Sequence, residues 1–124
     1  MYSEVLERIK SYEYPEIAKT RVFRADDPDQ TEFRYLSDFH KTLGYPGISY
    51  NTIQVNNNRT CPKHTDADKT TLIVGLGNYT DGDLCFESGD IDIREKPLLF
   101  DSRKPHWVKD WYGDRYSVTF FNSY

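Results

Sequence analysis

Residues 64–66 read His-Thr-Asp, and His106 and the pair Arg115, Ser117 stand nearer the end of the chain. On an extended segment positions i and i+2 project from one face, so the His64 imidazole and the Asp66 carboxylate can converge on one point. His106 opens a second predicted strand, in "RKPHWV". Arg115 and Ser117 share one face of the last predicted strand, in "DRYSVTFF". Two histidines and one carboxylate fill one face of an octahedral Fe(II) and leave three adjacent positions open. A guanidinium beside a hydroxyl grips a carboxylate through charge-assisted, fork-shaped contacts. A metal with open positions and an anion clamp are the equipment for binding dioxygen and a chelating dicarboxylate together.

Taken singly, each part is weak. A His-x-Asp pair arises by chance, a lone His106 is more often a packed or surface histidine, and Arg115 and Ser117 alone are ordinary strand residues. Their order and their placement on predicted strands of one β-rich half carry the argument. The third histidine, His40, falls on a predicted helix, where a surface or partly buried position is expected, and it is left out of the site.

The elements that must position these residues are legible in outline. Residues 3–14 read as a short helix capped by Ser3, with Tyr2, Leu6 and Ile9 at helical spacing. "TRVFRADDPDQ" reads as a short strand and a loop. A second helix begins at Asp29, with Asp29 and Glu32 as a capping box, Phe33, Leu36, Phe39 and Leu43 as its apolar stripe, and Gly44 as its C-terminal glycine. From Tyr45 the pattern changes to strands. "SYNTIQVNN" alternates, with Ile53 and Val55 on one face and Thr52, Gln54 and Asn56 on the other. "TLIVGLGN" reads as a buried strand, and "GDLCFE" and "DIDIRE" flank a hairpin turn at "SGD". "KPLLFDS", "HWVKDWYG" and "RYSVTFFNS" complete the series. Six or more short strands after two helices predict an α+β, mainly β fold: an antiparallel sandwich or barrel with both helices packed outside one sheet.

Composition bounds the function. At 124 residues the chain has room for one domain, divided here into residues 1–47 (helices and loop) and 48–124 (strands). A net charge of −4 argues against broad nucleic-acid binding, although Arg59, Lys63, Lys69, Arg103 and Lys104 crowd the two histidine segments; a solvated rim of mixed charge is the plainer reading. Two cysteines, Cys61 and Cys85, are too few for a disulfide framework or a structural zinc site, so reduced thiols are expected. No apolar window is long enough to span a membrane and no signal-peptide pattern opens the chain, which makes a cytoplasmic or other intracellular location the expectation.

The H-x-D…H…R-x-S pattern resembles that of the Fe(II)/2-oxoglutarate-dependent dioxygenase superfamily over about residues 48–124. Within it, "GLGNYTDGDLCF", "LLFDSRKPHWV" and "DRYSVTFF" are similar to the TET/JBP-like branch, and "HTDADK" and "RYSVTF" to AlkB-like members. The sequence departs from the usual pattern at Gly82-Asp83 and in lacking an N-x-Y before the metal strand. The resemblance implies a double-stranded β-helix (jelly-roll) core, Fe(II) held by His64, Asp66 and His106, and 2-oxoglutarate and dioxygen as cosubstrates. It also implies Arg115 on the distal carboxylate of 2-oxoglutarate, assisted by Ser117. The activity implied is hydroxylation of a carbon centre, with a pyrimidine methyl group as the first substrate and a peptidyl side chain or small metabolite as the alternative. A non-catalytic jelly-roll binding module is the reading from another class.

Around this centre, Trp107, Phe86 and Leu99 are candidates for excluding water, and Gln54 and Asn56 for bonding cosubstrate or substrate if their face lines the barrel. Asn57, Asn58 and Arg59 are expected at the mouth. So little chain lies outside the strands that substrate selection falls to a homodimer partner, a larger assembly or a minimal loop such as residues 20–30.

Overall fold

The computed structural model describes residues 1–67 and 70–123. Two helices, α1 (Tyr2–Lys10) and α2 (Thr31–His40), flank strand β1 (Thr20–Arg24). Nine strands follow: β2 (Thr52–Asn57), β3 (Thr71–Leu76), β4 (Tyr79–Asp81), β5 (Leu84–Phe86), β6 (Gly89–Ile91), β7 (Leu98–Phe100), β8 (His106–Val108), β9 (Trp111–Gly113) and β10 (Tyr116–Phe121). They form a five-stranded sheet in the order β1-β2-β10-β3-β7, a three-stranded sheet β6-β5-β8 and a ribbon β4-β9, with every strand pairing antiparallel. Among the described residues no helix is long and apolar enough to cross a membrane.

Alternation decides which side of the large sheet meets which core. Ile53 and Val55 of β2, Leu72, Val74 and Leu76 of β3, and Val118 and Phe120 of β10 bury one face against Val5 and Ile9 of α1 and Leu36 and Phe39 of α2. The opposite face carries Gln54 and Asn56, Ser117 and Thr119, and Ile73. Ile73 packs with Leu84, Ile93, Phe86, Leu98, Phe100 and Val108 in a second cluster. Strand β3 is covered on both faces, which is why its sequence is a continuous apolar run without alternation. The first 47 residues are not all outside the sheet, because β1 pairs with β2 along its edge.

Helix boundaries differ from expectation for identifiable reasons. The first helix ends at Lys10 and not at residue 14: the Ser11 hydroxyl donates to the Arg8 carbonyl at 2.6 Å, and the Tyr14 hydroxyl folds back onto the Ile9 carbonyl at 2.8 Å. Its N-cap is Met1, with Ser3 already inside the first turn. The Asp29–Glu32 capping box does not form. Asp29 accepts the Thr31 N–H at 2.9 Å, but Glu32 is drawn away by Arg8, which donates to both carboxylate oxygens at 2.9 and 2.8 Å, and by the Tyr12 hydroxyl. These long-range bonds tie α1 to α2 and outcompete the local cap. Gly44 has φ +87°, but it ends the turn beyond the helix, whose C-cap is Lys41.

His40 is buried in the helix-side core, packed against the rings of Tyr50 and Phe120 at 4.7 and 5.1 Å, and its Nε2 has no partner among the described residues. The surface or half-buried position expected for it is therefore wrong. Burial lowers its pKa, so the neutral ring is the folded form. The unfolded chain binds the proton at higher pH than the folded one. Stability is therefore complete above the unfolded histidine pKa of about 6.5 and falls as pH drops below it, by at most about 1.4 kcal/mol per pH unit. The denaturant midpoint of His40→Phe should fall less steeply than that of the unmodified protein between roughly pH 6.5 and 5. Equal slopes would place the acid sensitivity elsewhere.

Candidate metal and anion site

His64 and His106 face each other across an antiparallel bridge: each backbone N–H donates to the other's carbonyl at 3.0 Å, and the ring centroids lie 4.3 Å apart. The Asp66 N–H donates to the Ser102 carbonyl at 2.9 Å, which holds the His-x-Asp segment beside the turn leading into β8. Both imidazoles are oriented from behind. His64 Nδ1 meets the Pro62 carbonyl at 2.9 Å and His106 Nδ1 meets the Lys104 carbonyl at 2.8 Å. An Nδ1–H donated to a carbonyl leaves the Nε2 lone pair as the available ligand. Both Nε2 atoms point at the same carboxylate, His64 at Oδ1 (3.5 Å) and His106 at Oδ2 (3.4 Å). Ligand atoms of His64, Asp66 and His106 lie within 4.8 Å of one another, a spacing one ion can bridge.

These three side chains line a cavity of about 700 Å³ that also reaches Gln54, Asn56, Arg115, Ser117 and Thr119 on the five-stranded sheet. The polar face of β2 therefore looks into the interior, and the apolar face meets the helices. Gln54 Nε2 donates to Asn56 Oδ1 at 3.1 Å, and Asn56 Nδ2 reaches Ser117 Oγ at 3.5 Å. Strand register puts Ser117 opposite Asn56, and Thr119 opposite Gln54, so the four form one continuous polar floor.

Arg115 is 3% exposed. Its Nε donates to the Gly82 carbonyl at 3.1 Å, and its guanidinium lies 5.6 Å from the ring centroids of both Tyr79 and Trp111. Its Nη2 has no hydrogen-bond partner among the described residues, and neither does the hydroxyl of Tyr79. Burial lowers the pKa of Arg115 against the opposing pull of Tyr79, Cys61 and Asp83, and burial raises that of Tyr79, which keeps its hydroxyl a donor. An unsatisfied buried cation is costly unless an anion completes it. Two glycines make the space. A Cβ on Gly82, which has φ +70°, would stand 3.1 Å from Arg115 Cδ and Nε, and one on Gly75 would stand 2.3 Å from the Tyr79 hydroxyl.

Several expected neighbours lie elsewhere. Leu99 belongs to the helix-side core, because its partner across the ladder is Leu72. Phe100 takes the place expected for it, edge-on to His106 at 5.2 Å with Phe86 at 6.2 Å. The four apolar or ring-bearing residues of "PLLF" give no alternation from which the inward one could be read. Trp107 is paired with Cys85 on the other face of β8, with Lys63 Nζ 5.3 Å from its ring. Asn57 and Asn58 turn toward the backbone of Arg115, away from the mouth. Of the rim cations, Lys63 is paired with Glu87 at 3.2 Å and Arg103 with Asp101 at 3.0 Å, while Arg59 lines the cavity; Lys69 lies outside the described residues. Cys61 and Cys85 are free thiols, and burial raises the pKa of each. Cys61 Sγ, 3.4 Å from His64 Nδ1, is a cavity neighbour that no spacing signalled; Tyr79, whose ring lies beside the Arg115 guanidinium, is likewise unsignalled.

No family model matches the chain, and no curated protein matches it. Solved structures do. An oxidoreductase of the 2OG-Fe(II) oxygenase family from Burkholderia pseudomallei superposes with a TM-score of 0.68 at 13% identity, over 97% of this chain and 76% of that one. The chain shares its fold. A prolyl-4-hydroxylase from Pseudomonas putida gives a TM-score of 0.56 at 13% identity, over 99% of this chain and 86% of that one. At this identity the likeness speaks for architecture: a mainly β arrangement of antiparallel sheets with two helices.

Proposed function

We propose that this chain is an Fe(II)- and 2-oxoglutarate-dependent dioxygenase with a jelly-roll core in one domain, hydroxylating a carbon centre of its substrate. One observation carries the reading: two Nε2 atoms aimed at one carboxylate and a buried guanidinium with an unfilled donor line the same cavity. His64, Asp66 and His106 are the residues that would hold the iron, and three ligands leave the open positions that a chelating cosubstrate and dioxygen need. The bound metal with 2-oxoglutarate supplies the oxidising chemistry.

The chain's own residues bind, orient and shield. Arg115 offers its unfilled donor to the distal carboxylate of the cosubstrate, with Ser117 alongside on the polar floor. The Tyr79 hydroxyl, without a partner among the described residues, is a second donor on the ring beside that guanidinium. Gln54 and Asn56 present amides to whatever lies across that floor. Phe100 and Phe86 keep water from one side of His106.

For the primary substrate, a carbon on a peptidyl side chain is better supported than a pyrimidine methyl group. Among the described rim cations carboxylates already pair Lys63 and Arg103, which leaves Arg59 and Lys104 for a phosphate backbone, and one structure of the same fold is a prolyl-4-hydroxylase. The nucleobase reading rests on the TET/JBP-like segments and on Arg59 and Lys104.

The test has two stages. Anaerobic addition of 2-oxoglutarate to the Fe(II)-loaded protein should give the visible absorption of the chelate. Succinate release should then rise with a peptide pool more than with oligonucleotides or a metabolite pool. A folded, metal-loaded sample with no such absorption would favour a non-catalytic binding module. Stimulation by oligonucleotides alone would restore the nucleobase.

A further inference from the structure

Asn58 meets three demands at one position. Its φ is +52°, in the left-handed region that asparagine enters more readily than other residues with a side chain. Its Oδ1 accepts two N–H groups, the Arg115 amide at 2.7 Å and the Trp111 indole at 3.3 Å. Its Nδ2 donates to Asp114 Oδ1 at 2.7 Å, and its own backbone N–H donates to the Arg115 carbonyl at 2.7 Å. Glycine would keep the backbone and lose three of these bonds. Aspartate would keep the acceptor, lose the donor and place a second carboxylate against Asp114.

All four bonds address one short segment, residues 111–115. Arg115 Nη2 has no hydrogen-bond partner among the described residues, so no bond at that atom fixes its direction. Direction is set from the root: the amide and carbonyl of Arg115 are both held by Asn58, and Nε is held by the Gly82 carbonyl. Trp111, one wall of the guanidinium slot, is tied to the same Asn58 oxygen. We propose that Asn58 is a positioning residue for the anion clamp, fixing the root of Arg115 and the indole wall beside it so that the guanidinium meets a distal carboxylate. The inference rests on the oxygenase reading above, because it supposes that Arg115 receives the distal carboxylate of 2-oxoglutarate.

The experiment compares two 2-oxo acids by calorimetry on anaerobic, Fe(II)-loaded protein: 2-oxoglutarate, and 2-oxobutyrate, which keeps the chelating end and lacks the distal carboxylate. N58G, chosen because glycine accepts the positive φ, should weaken 2-oxoglutarate binding roughly tenfold, as expected for one misaligned charge-assisted bond. Its 2-oxobutyrate binding should be unchanged. The N58D/D114N double variant exchanges donor and acceptor across the Asn58–Asp114 contact and should restore 2-oxoglutarate binding. Equal weakening of both acids in N58G would reduce Asn58 to a structural role, and unchanged 2-oxoglutarate binding would also overturn the inference. Failure of the reading beneath it looks different: the unmodified protein itself would show no preference for 2-oxoglutarate over 2-oxobutyrate.

Discussion

Asp66→Ala should abolish turnover and metal binding while the fold survives. The Asp66 side chain is 51% exposed and its only ion-pair contacts among the described residues are with the two histidines, so its removal opens no cavity. The Asp66 backbone, which bonds Ser102, is untouched by the change. What disappears is the carboxylate toward which both Nε2 atoms converge. Losing an outer-shell partner of a metal ligand commonly costs 10- to 100-fold in affinity, so losing the ligand itself should cost on the order of a hundredfold at the least. A metal present at a hundred times its Kd stabilises the folded state by about 2.7 kcal/mol, which for a chain of this size is a rise of several degrees in Tm. That rise, measured with Fe(II) or Mn(II), should vanish in Asp66→Ala while the metal-free Tm stays unchanged. His106→Ala should also be inactive, but it is a less clean probe: His106 is 4% exposed and packs on Phe86 and Phe100, so its loss also damages the core. An Asp66→Ala protein that keeps both its metal-induced rise and its turnover would remove this residue from the ligand set.

The sequence was informative where local geometry is short-range and silent where it depends on the third dimension. The i, i+2 relation on extended chain is enough to pair His64 with Asp66 and Arg115 with Ser117, and alternation in "TIQVNN" separates Ile53 and Val55 from Gln54 and Asn56. Alternation does not say which of those two faces lines the site, because a β-sheet with helices on one side and a polar cavity on the other buries both. The inward residue of "PLLF" is hidden for the opposite reason: adjacent positions are all apolar, so no period exists, and Phe100 stands where the sequence suggests Leu99. Capping motifs misled at Glu32, since a bidentate bond to Arg8 far along the chain is stronger than a local cap. Tyr79 carries no signal, and Asn58 reads as a mouth residue, because their contacts with Arg115 depend on a left-handed φ at Asn58 and on the space left by Gly75 and Gly82.

Arg115→Met should raise the 2-oxoglutarate requirement steeply without destabilising the ligand-free protein. The two halves of that expectation come from one fact. The guanidinium is buried and loses hydration; among the described residues its Nε donates to the Gly82 carbonyl and Nη2 is unfilled. A desolvated charge so poorly compensated contributes little to folding, and replacing buried ionic groups by apolar ones of similar volume is often neutral or stabilising by about 1–4 kcal/mol. Methionine is chosen because it runs a flexible apolar chain of nearly the same shape into the slot between Tyr79 and Trp111. The carboxylate that would complete Nη2 is then lost as a ligand interaction, and hydrogen bonds to charged groups are worth about 1.5–3 kcal/mol, or roughly 10- to 150-fold in affinity. Saturating 2-oxoglutarate should recover much of the turnover, because the iron ligands and the polar floor remain; the change falls on KM more than on kcat. Denaturant unfolding of the ligand-free protein checks the first half and a 2-oxoglutarate titration checks the second. A marked loss of stability together with an unaltered cosubstrate requirement would mean that the buried cation holds the fold together and that the keto-diacid is bound by other groups.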